Sequence, residues 1–130
     1  MMEKFDLVQQ YLTDMNMSIL KTDEKEELFI VDDEDNGIKN MVIDCEEPIL
    51  ILEQIIMDTP SDSNEFYRDL LRMNRQLVHG AFVLDKSASK VIYRDTLQID
   101  NLDMNELEAS INSLSLALSE FGTKLISYAH

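Results

Sequence analysis

The acidic stretch from Asp32 to Gly37 has the residue types of a calcium-binding loop. An EF-hand loop carries oxygen ligands at its positions 1, 3 and 5 and a Gly at position 6, and in this chain those positions are Asp32, Glu34, Asn36 and Gly37. Position 12 of such a loop supplies a bidentate Glu, but here it is Ile43, and the stretch follows an apolar run instead of a helix. Because two ligand oxygens are missing, the sequence predicts a solvated hairpin turn without a metal ion.

The side chains that carry nucleophilic and acid–base catalysis are scarce. The chain has two histidines, His79 and His130, and one cysteine, Cys45, and nothing in the sequence brings the thiol near an imidazole. The motif G-x-S-x-G, the phosphate-binding P-loop and the zinc motif H-E-x-x-H are all absent. We therefore predict a non-enzymatic protein with no catalytic, metal or cofactor site, in which Cys45 behaves as a small apolar residue.

Two charged features have both a functional and a structural interpretation. Arg68, Arg72 and Arg75 form a basic stripe on a predicted helix, which either docks an acidic partner segment or is neutralised by nearby carboxylates. Neutralisation is favoured, because i,i+3 and i,i+4 ion pairs form easily on helices. Asp95 is in phase with the apolar residues of a predicted strand, so it is either a functional acid or a structural carboxylate. With no titrating partner in view, a hydrogen-bonded structural role is favoured.

The charge balance excludes two classes of partner. The 130 residues include 26 Asp and Glu against 11 Lys and Arg, which gives a formal net charge of −15. Such a surface repels the phosphates of nucleic acids and anionic membranes. The length and apolar content predict one soluble domain over residues 1–130. A lone cysteine, no apolar signal core and no long apolar run predict a cytoplasmic protein.

Hydrophobic periodicity predicts an α+β fold with an antiparallel sheet and three helices. The order is helix, four strands, helix, two strands, helix, at residues 3–15, 17–21, 28–31, 38–43, 49–57, 63–79, 81–85, 91–99 and from 103 onward. Asn36-Gly37 is the clearest turn signal. Asp62 or Ser63 is expected to cap the second helix and Gly80 to end it.

Two elements carry more apolar residues than one core-facing surface needs. The second helix has a further apolar stripe beside its first, and the strand at 49–57 is apolar on both faces. The surplus side chains are Tyr67, Leu71 and Val78 on the helix and Ile49, Ile51 and Ile55 on the strand. Either the chain's own helices cover both faces of the sheet, or a second subunit or a bound polypeptide covers one of them. We favour the second explanation, because three helices rarely cover both faces of such a sheet.

The third helix carries an apolar seam with a strip of small residues beside it. The seam, in steps of three and four residues, is Met104, Leu107, Ile111, Leu114, Leu118, Phe121, Leu125 and Tyr128. The strip is Asn112, Ser115, Ser119 and Gly122. We predict that the seam packs in the core. The strip either faces water or receives a partner segment, which makes Ser115 and Ser119 candidate contacts.

Three segments together resemble a known family. They are the helix-to-strand junction from Asn74 to Asp85, the strand sequence Arg94-Asp95-Thr96-Leu97, and the helix start with Leu102, Leu107, Ile111 and Leu114. Their order and spacing resemble the YbjN-like proteins and the type III secretion chaperones of the Tir-chaperone type. The likeness is closer to the YbjN-like branch, because the chain lacks the C-terminal tryptophan often seen in the secretion chaperones. The resemblance implies a homodimeric, non-enzymatic protein that binds other polypeptides.

Two functions are consistent with the sequence. The first is a homodimeric chaperone- or adaptor-like protein that binds an apolar segment of a client polypeptide. The alternative is a regulatory or structural homodimer without a client. The residues expected at the dimer or partner interface are Ile49, Ile51, Ile55, Tyr67, Leu71, Val78, Ser115 and Ser119.

Overall fold

The computed structural model describes residues 3–61 and 64–129. Within them the elements in chain order are α1 (Lys4–Asp14), β1 (Ser18–Asp23), β2 (Leu28–Asp33), a 3₁₀ turn (Glu34–Asn36), β3 (Ile38–Glu46), β4 (Ile49–Asp58), α2 (Asn64–Gln76), β5 (Ala81–Leu84), β6 (Lys90–Gln98) and α3 (Met104–Ile126). The predicted α+β order is confirmed. The cap expected at Asp62 or Ser63 lies outside the described residues.

The six strands form one antiparallel sheet with the spatial order β1-β2-β3-β4-β6-β5. The 3₁₀ turn joins β2 to β3, and Gly37 follows it with a φ of +77°. Positive φ is the conformation in which glycine is favoured over other residues, so the turn expected at Asn36-Gly37 is present. The hairpin of β5 and β6 places β6 beside β4 and leaves β5 at the edge of the sheet.

The three helices pack on the same face of the sheet. On α1, Phe5 stacks on Phe29 of β2 with 4.5 Å between the ring centroids. On α2, the Asn74 side chain donates to the Phe82 carbonyl of β5 at 3.0 Å and accepts from the Phe82 amide at 2.7 Å. Helix α3 contacts Tyr93 of β6. The strand register places Phe29, Phe82 and Tyr93 on one face, so the helices form a single layer over it.

Helix α3 supplies much of the core. It begins with a capping box, in which the Asp103 carboxylate accepts from the Glu106 amide at 2.8 Å and the Glu106 carboxylate accepts from the Asp103 amide at 3.2 Å. Of the seam residues, the buried ones are Leu107, Ile111, Leu114, Phe121 and Leu125, and the half-buried ones are Met104, Leu118 and Tyr128. The expectation that the seam packs in the core is confirmed.

The end of α2 differs from the expectation. The helix ends at Gln76 and not at residue 79, so Gly80 is not the residue that terminates it. Gly80 has a φ of +73°, and a Cβ at this position would overlap the Tyr93 hydroxyl. That hydroxyl donates to the His79 carbonyl at 2.9 Å. Gly80 is therefore needed for its backbone conformation and for the space that Tyr93 occupies.

We expect Leu114→Ala to lower the free energy of unfolding by about 2–5 kcal/mol, because it leaves a cavity in a packed core. Leu116 lies on the same helix and is 72% exposed, so Leu116→Ala is the matched control and should change the stability by less than about 0.5 kcal/mol. Urea unfolding followed by circular dichroism measures both. Equal effects of the two substitutions would contradict the placement of the seam.

Candidate functional site

The second face of the sheet carries none of the described helices, and we call it the open face. Its side chains alternate along each strand with the buried ones. The apolar residues of the open face are Leu28, Ile30, Val42, Ile49, Ile51, Ile55, Val83 and Ile92. None of them belongs to the core cluster, and Ile55 is 64% exposed. The open face is therefore an apolar surface without an intramolecular cover among the described residues.

Strand β4 shows how the sequence produces this surface. Leu50 and Leu52 point to the helices and are fully buried, whereas Ile49 and Ile51 point to the open face and are half-buried. A strand that is apolar on both faces is typical of a sheet covered on both sides. Here the chain's helices all lie on one side, so the explanation in which they cover both faces does not hold for the described residues.

The register places the carboxylates of Asp44, Glu46 and Glu53 on the open face as well, and Asp44 is the one with apolar residues opposite it on both neighbouring strands. Asp44 of β3 is paired with Leu28 of β2 on one side and with Ile51 of β4 on the other. Its Oδ1 atom is buried and has no hydrogen-bond partner. Desolvation raises the pKa of Asp44 to about 6, and the nearby carboxylates of Glu46, Glu26 and Glu53 contribute further. At neutral pH the open face thus holds a negative charge in an environment that solvates it poorly.

The sheet is interrupted between β3 and β4. Their pairing extends from Glu46↔Ile49 to Val42↔Glu53 and then stops, because the start of β3 pairs only with β2 and the end of β4 only with β6. We call this interruption the β3–β4 gap. The buried side chain of Gln54 spans it: its Oε1 accepts from the Lys39 amide at 3.0 Å and its Nε2 donates to the Gly37 carbonyl at 3.1 Å. One side-chain amide thus replaces the missing main-chain pair.

A groove of about 880 Å³ lies at the β3–β4 gap. Residues of β3, β4 and β6 form one wall, and the C-terminal part of α3 forms the other. The residues contributed by α3 and by the segment that follows it (residues 127–129, the α3 extension) are Leu118, Gly122, Leu125, Ile126 and Ala129. Val42, Ile55 and Ile92 belong both to the groove and to the open face. The two features therefore form one continuous apolar region.

The interface residues expected from sequence lie on three surfaces. Ile49, Ile51 and Ile55 lie on the open face. On α2, Tyr67 is half-buried, and Leu71 and Val78 beyond its end are 71% and 89% exposed. On α3, Ser115 is half-buried and Ser119 is exposed. Gly122, which belongs to the same strip of small residues, lines the groove.

The basic stripe of α2 is largely neutralised, as expected. The Arg72 guanidinium lies 3.0 Å from the Asp69 carboxylate and 3.2 Å from that of Glu65, which also lies 3.9 Å from Arg68. Asp69 hydrogen-bonds Tyr128 of the α3 extension. Arg75 makes no ion pair within the part of the chain that the structure describes. Arg68 and Arg72 are therefore engaged in ion pairs on α2 itself and offer little surface for docking an acidic partner.

The remaining candidate groups have structural surroundings. The Asp95 carboxylate accepts from the Ser110 hydroxyl at 2.6 Å, which agrees with the structural role favoured from sequence. Cys45 is buried, and burial raises the pKa of its thiol to about 12. In the acidic turn, the Asp32 carboxylate accepts from the Asn40 amide at 2.7 Å and that of Asp33 accepts from the Asn36 side chain at 2.7 Å. These carboxylates hold the hairpin together.

A family model named CesT_Tir_1 matches residues 1–130. The chain belongs to the CesT_Tir_1 family. This confirms the resemblance to YbjN-like proteins and secretion chaperones. No curated protein matches the chain in sequence.

Several solved structures share this fold at low identity. YbjN from E. coli, described as a putative transcription regulator, has a TM-score of 0.73 and 17% identity over 93% of this chain and 92% of its own. A chain of the HopA1–SchA chaperone–effector complex has a TM-score of 0.65 and 12% identity over 88% and 89%. The Yersinia pestis type III secretion chaperone SycH, in complex with a stable fragment of YscM2, has a TM-score of 0.57 and 16% identity over 98% and 100%. The fold is that of the type III secretion chaperones.

None of the helices in residues 3–61 and 64–129 is long and apolar enough to cross a membrane.

Sequence reasoning did not single out Asp44 or Gln54. Both interrupt an apolar pattern: Gln54 is in phase with the buried Leu50 and Leu52, and Asp44 lies between apolar neighbours on adjacent strands. For Gln54, the signal in the sequence was a polar residue at a position of β4 whose side chain points to the core. The signal for Asp44 needs the strand register, which the sequence does not show.

We expect Gln54→Leu to lower the free energy of unfolding by about 1–3 kcal/mol, because it leaves the Lys39 amide and the Gly37 carbonyl without their partner. Gln98→Leu is the control, since Gln98 is an exposed residue of β6. Chemical unfolding of both variants decides the point. A Gln54→Leu variant as stable as the parent would show that the β3–β4 gap closes without the glutamine.

We expect Asp44→Asn to raise the melting temperature at about pH 7.5 and to have less effect at about pH 4. The pKa of Asp44 is raised in the folded state from 3.8 to about 6, so its ionisation disfavours folding increasingly as the pH rises through that interval. Glu108→Gln removes one charge from an exposed position of α3 and controls for the net charge. A gain that is equal for both variants at every pH would contradict this interpretation of Asp44.

Proposed function

We propose that the protein is a non-enzymatic, chaperone- or adaptor-like protein that binds a polypeptide segment on the open face of its sheet. The observation that carries the proposal is the uncovered apolar surface of β2, β3, β4 and β6 on a fold shared with secretion chaperones. Two of the similar structures contain a bound polypeptide, the HopA1–SchA complex and SycH with YscM2. Covering apolar surface contributes about 25 cal/mol per Å², so a segment laid on this face gains affinity without any covalent chemistry.

We further propose that the protein acts as a homodimer in the cytoplasm, with residues 1–130 as one domain. The outer side of α2 supports self-association, because Leu71 and Val78 are among the most exposed large apolar side chains. Ile49, Ile51 and Ile55 of the open face and Ser115 and Ser119 of α3 remain candidates for contacts with a second copy or with a client. The proposal includes no catalytic residue, cofactor or metal. It also includes no nucleic acid or membrane partner, since the formal net charge is −15.

A second candidate function is a regulatory or structural homodimer without a polypeptide client. The likeness to YbjN favours it, because YbjN has the highest TM-score of the three structures compared above and is described as a putative transcription regulator. The two functions differ in what happens on the open face: a client binder leaves it available for peptides, whereas a purely structural dimer does not.

We expect the parent protein to have twice the chain mass of 15.0 kDa in solution. Leu71→Asp should shift it toward the monomer mass, because an ionised side chain in an apolar interface loses its hydration. Leu116→Asp, at another exposed leucine, should leave the mass unchanged. Light scattering at micromolar concentration measures all three. A well-folded parent protein with the mass of one chain would refute the homodimer.

Binding of peptides separates the two functions. We expect the parent protein to retain short peptides rich in apolar residues on a random-sequence array, and Ile55→Glu to retain few of them, since Ile55 is the most exposed apolar residue of the open face. Leu116→Glu is the matched control and should bind like the parent. A dimer that retains no peptides would favour the regulatory alternative.

A further inference from the structure

Asp44 gives the open face a chemical preference beyond apolarity. The strand register places Leu28 and Ile51 directly opposite it on the two neighbouring strands. A carboxylate in the middle of an apolar row disfavours a purely apolar ligand, because covering it removes its remaining hydration. Its Oδ1 has no hydrogen-bond donor among the described residues. A ligand that supplies a donor at this point satisfies an acceptor that the chain leaves unsatisfied.

The surrounding charges favour a cationic donor. The groups that face Asp44 are Glu46 on its own strand, Glu26 in the β1–β2 turn and Glu53 on β4. The Arg94 guanidinium of β6 lies 3.9 Å from the Glu53 carboxylate, so it forms an ion pair with Glu53 and not with Asp44. The patch around Asp44 therefore has an excess of negative charge, and its complement is a positive side chain.

The same charges disfavour a second copy as the occupant. A two-fold dimer formed through the open face would bring the same patch of both subunits together. Each copy would add its Asp44, Glu46 and Glu53 to that interface, where the concentration of like charge disfavours association. The outer side of α2 has no such excess, since Arg68 and Arg72 are balanced by Glu65 and Asp69.

We propose that the open face selects a client segment in which a Lys or Arg lies between apolar side chains, with the cation bound to Asp44 and the apolar side chains bound to the isoleucines around it. This inference rests on the proposed polypeptide-binding function and specifies its ligand. A charge-assisted hydrogen bond in partly desolvated surroundings is stronger than an exposed ion pair. The apolar contacts give affinity, and Asp44 gives specificity.

The preference depends on pH in a defined direction. A bound cation favours the ionised form of Asp44, whose pKa in the free protein is about 6. The discrimination in favour of a cationic segment is therefore complete well above pH 6 and is lost as the pH falls below it.

Three synthetic peptides test the inference. They share an alternating Val and Ser sequence with a fluorescent label and differ only in the central residue, which is Lys, norleucine or Glu. We expect the parent protein to bind the Lys peptide about tenfold more tightly than the Glu peptide at about pH 7.5, as measured by fluorescence anisotropy. Asp44→Asn should reduce this ratio to about twofold, and so should a pH of about 5 for the parent. Glu108→Gln, which removes a charge from α3, should keep the ratio of the parent.

Each contrary result has a separate meaning. If the parent binds the norleucine peptide and shows no preference for Lys over Glu, the ligand inference fails while the polypeptide-binding function stands. If the preference for Lys persists in Asp44→Asn, the cation binds elsewhere and the role of Asp44 is wrong. If no peptide binds and Ile55→Glu converts the dimer to a monomer, a second copy covers the open face, and both the inference and its basis are overturned.

Discussion

In the part of the chain that the structure describes, three helices pack on one face of a six-stranded sheet and leave the other face without a cover. Strands β4 and β6 carry apolar residues on both sides, so burying one side still leaves Ile51 and Ile92 half-exposed. The core on the helix side is well formed around Leu114, Tyr93 and Phe29. The buried core therefore lies on one side of the sheet, and the opposite side is the one on which we propose that a polypeptide binds.

Polar side chains hold the helical layer and the strands together at points where main-chain pairing is missing. Asn74 hydrogen-bonds both main-chain groups of Phe82 on the edge strand. Gln54 hydrogen-bonds one main-chain group each of Lys39 and Gly37 across the β3–β4 gap. The Tyr93 hydroxyl joins the His79 carbonyl to Ser113 of α3. These bonds satisfy buried groups that would otherwise destabilise the fold. They also fix the position of α2 and α3, and so determine which apolar residues remain outside.

Much of the fold could be predicted from the sequence, because local patterns determine it. The Asp103–Glu106 capping box, the Asn36-Gly37 turn and the seam of α3 depend on residues that are close in the chain, and all three are present. The predicted end of α2 was wrong by three residues, because Gly80 is required by the space that the distant Tyr93 occupies and not by the end of the helix. The pairing of Asp44 with Leu28 and Ile51, the β3–β4 gap and the placement of all helices on one face depend on strand register, which no single segment encodes.

The β3–β4 gap divides the sheet into two three-stranded ribbons. Strands β1, β2 and β3 form one three-stranded ribbon, and β4, β6 and β5 form another, and in the described residues the main-chain pairing between them is limited to the five residue pairs from Val42↔Glu53 to Glu46↔Ile49. Beyond those pairs the ribbons are held to each other by the two hydrogen bonds of Gln54 and by α3, which contacts both β3 and β6. Gln54 and α3 therefore determine how the two halves of the sheet are placed relative to each other at the β3–β4 gap.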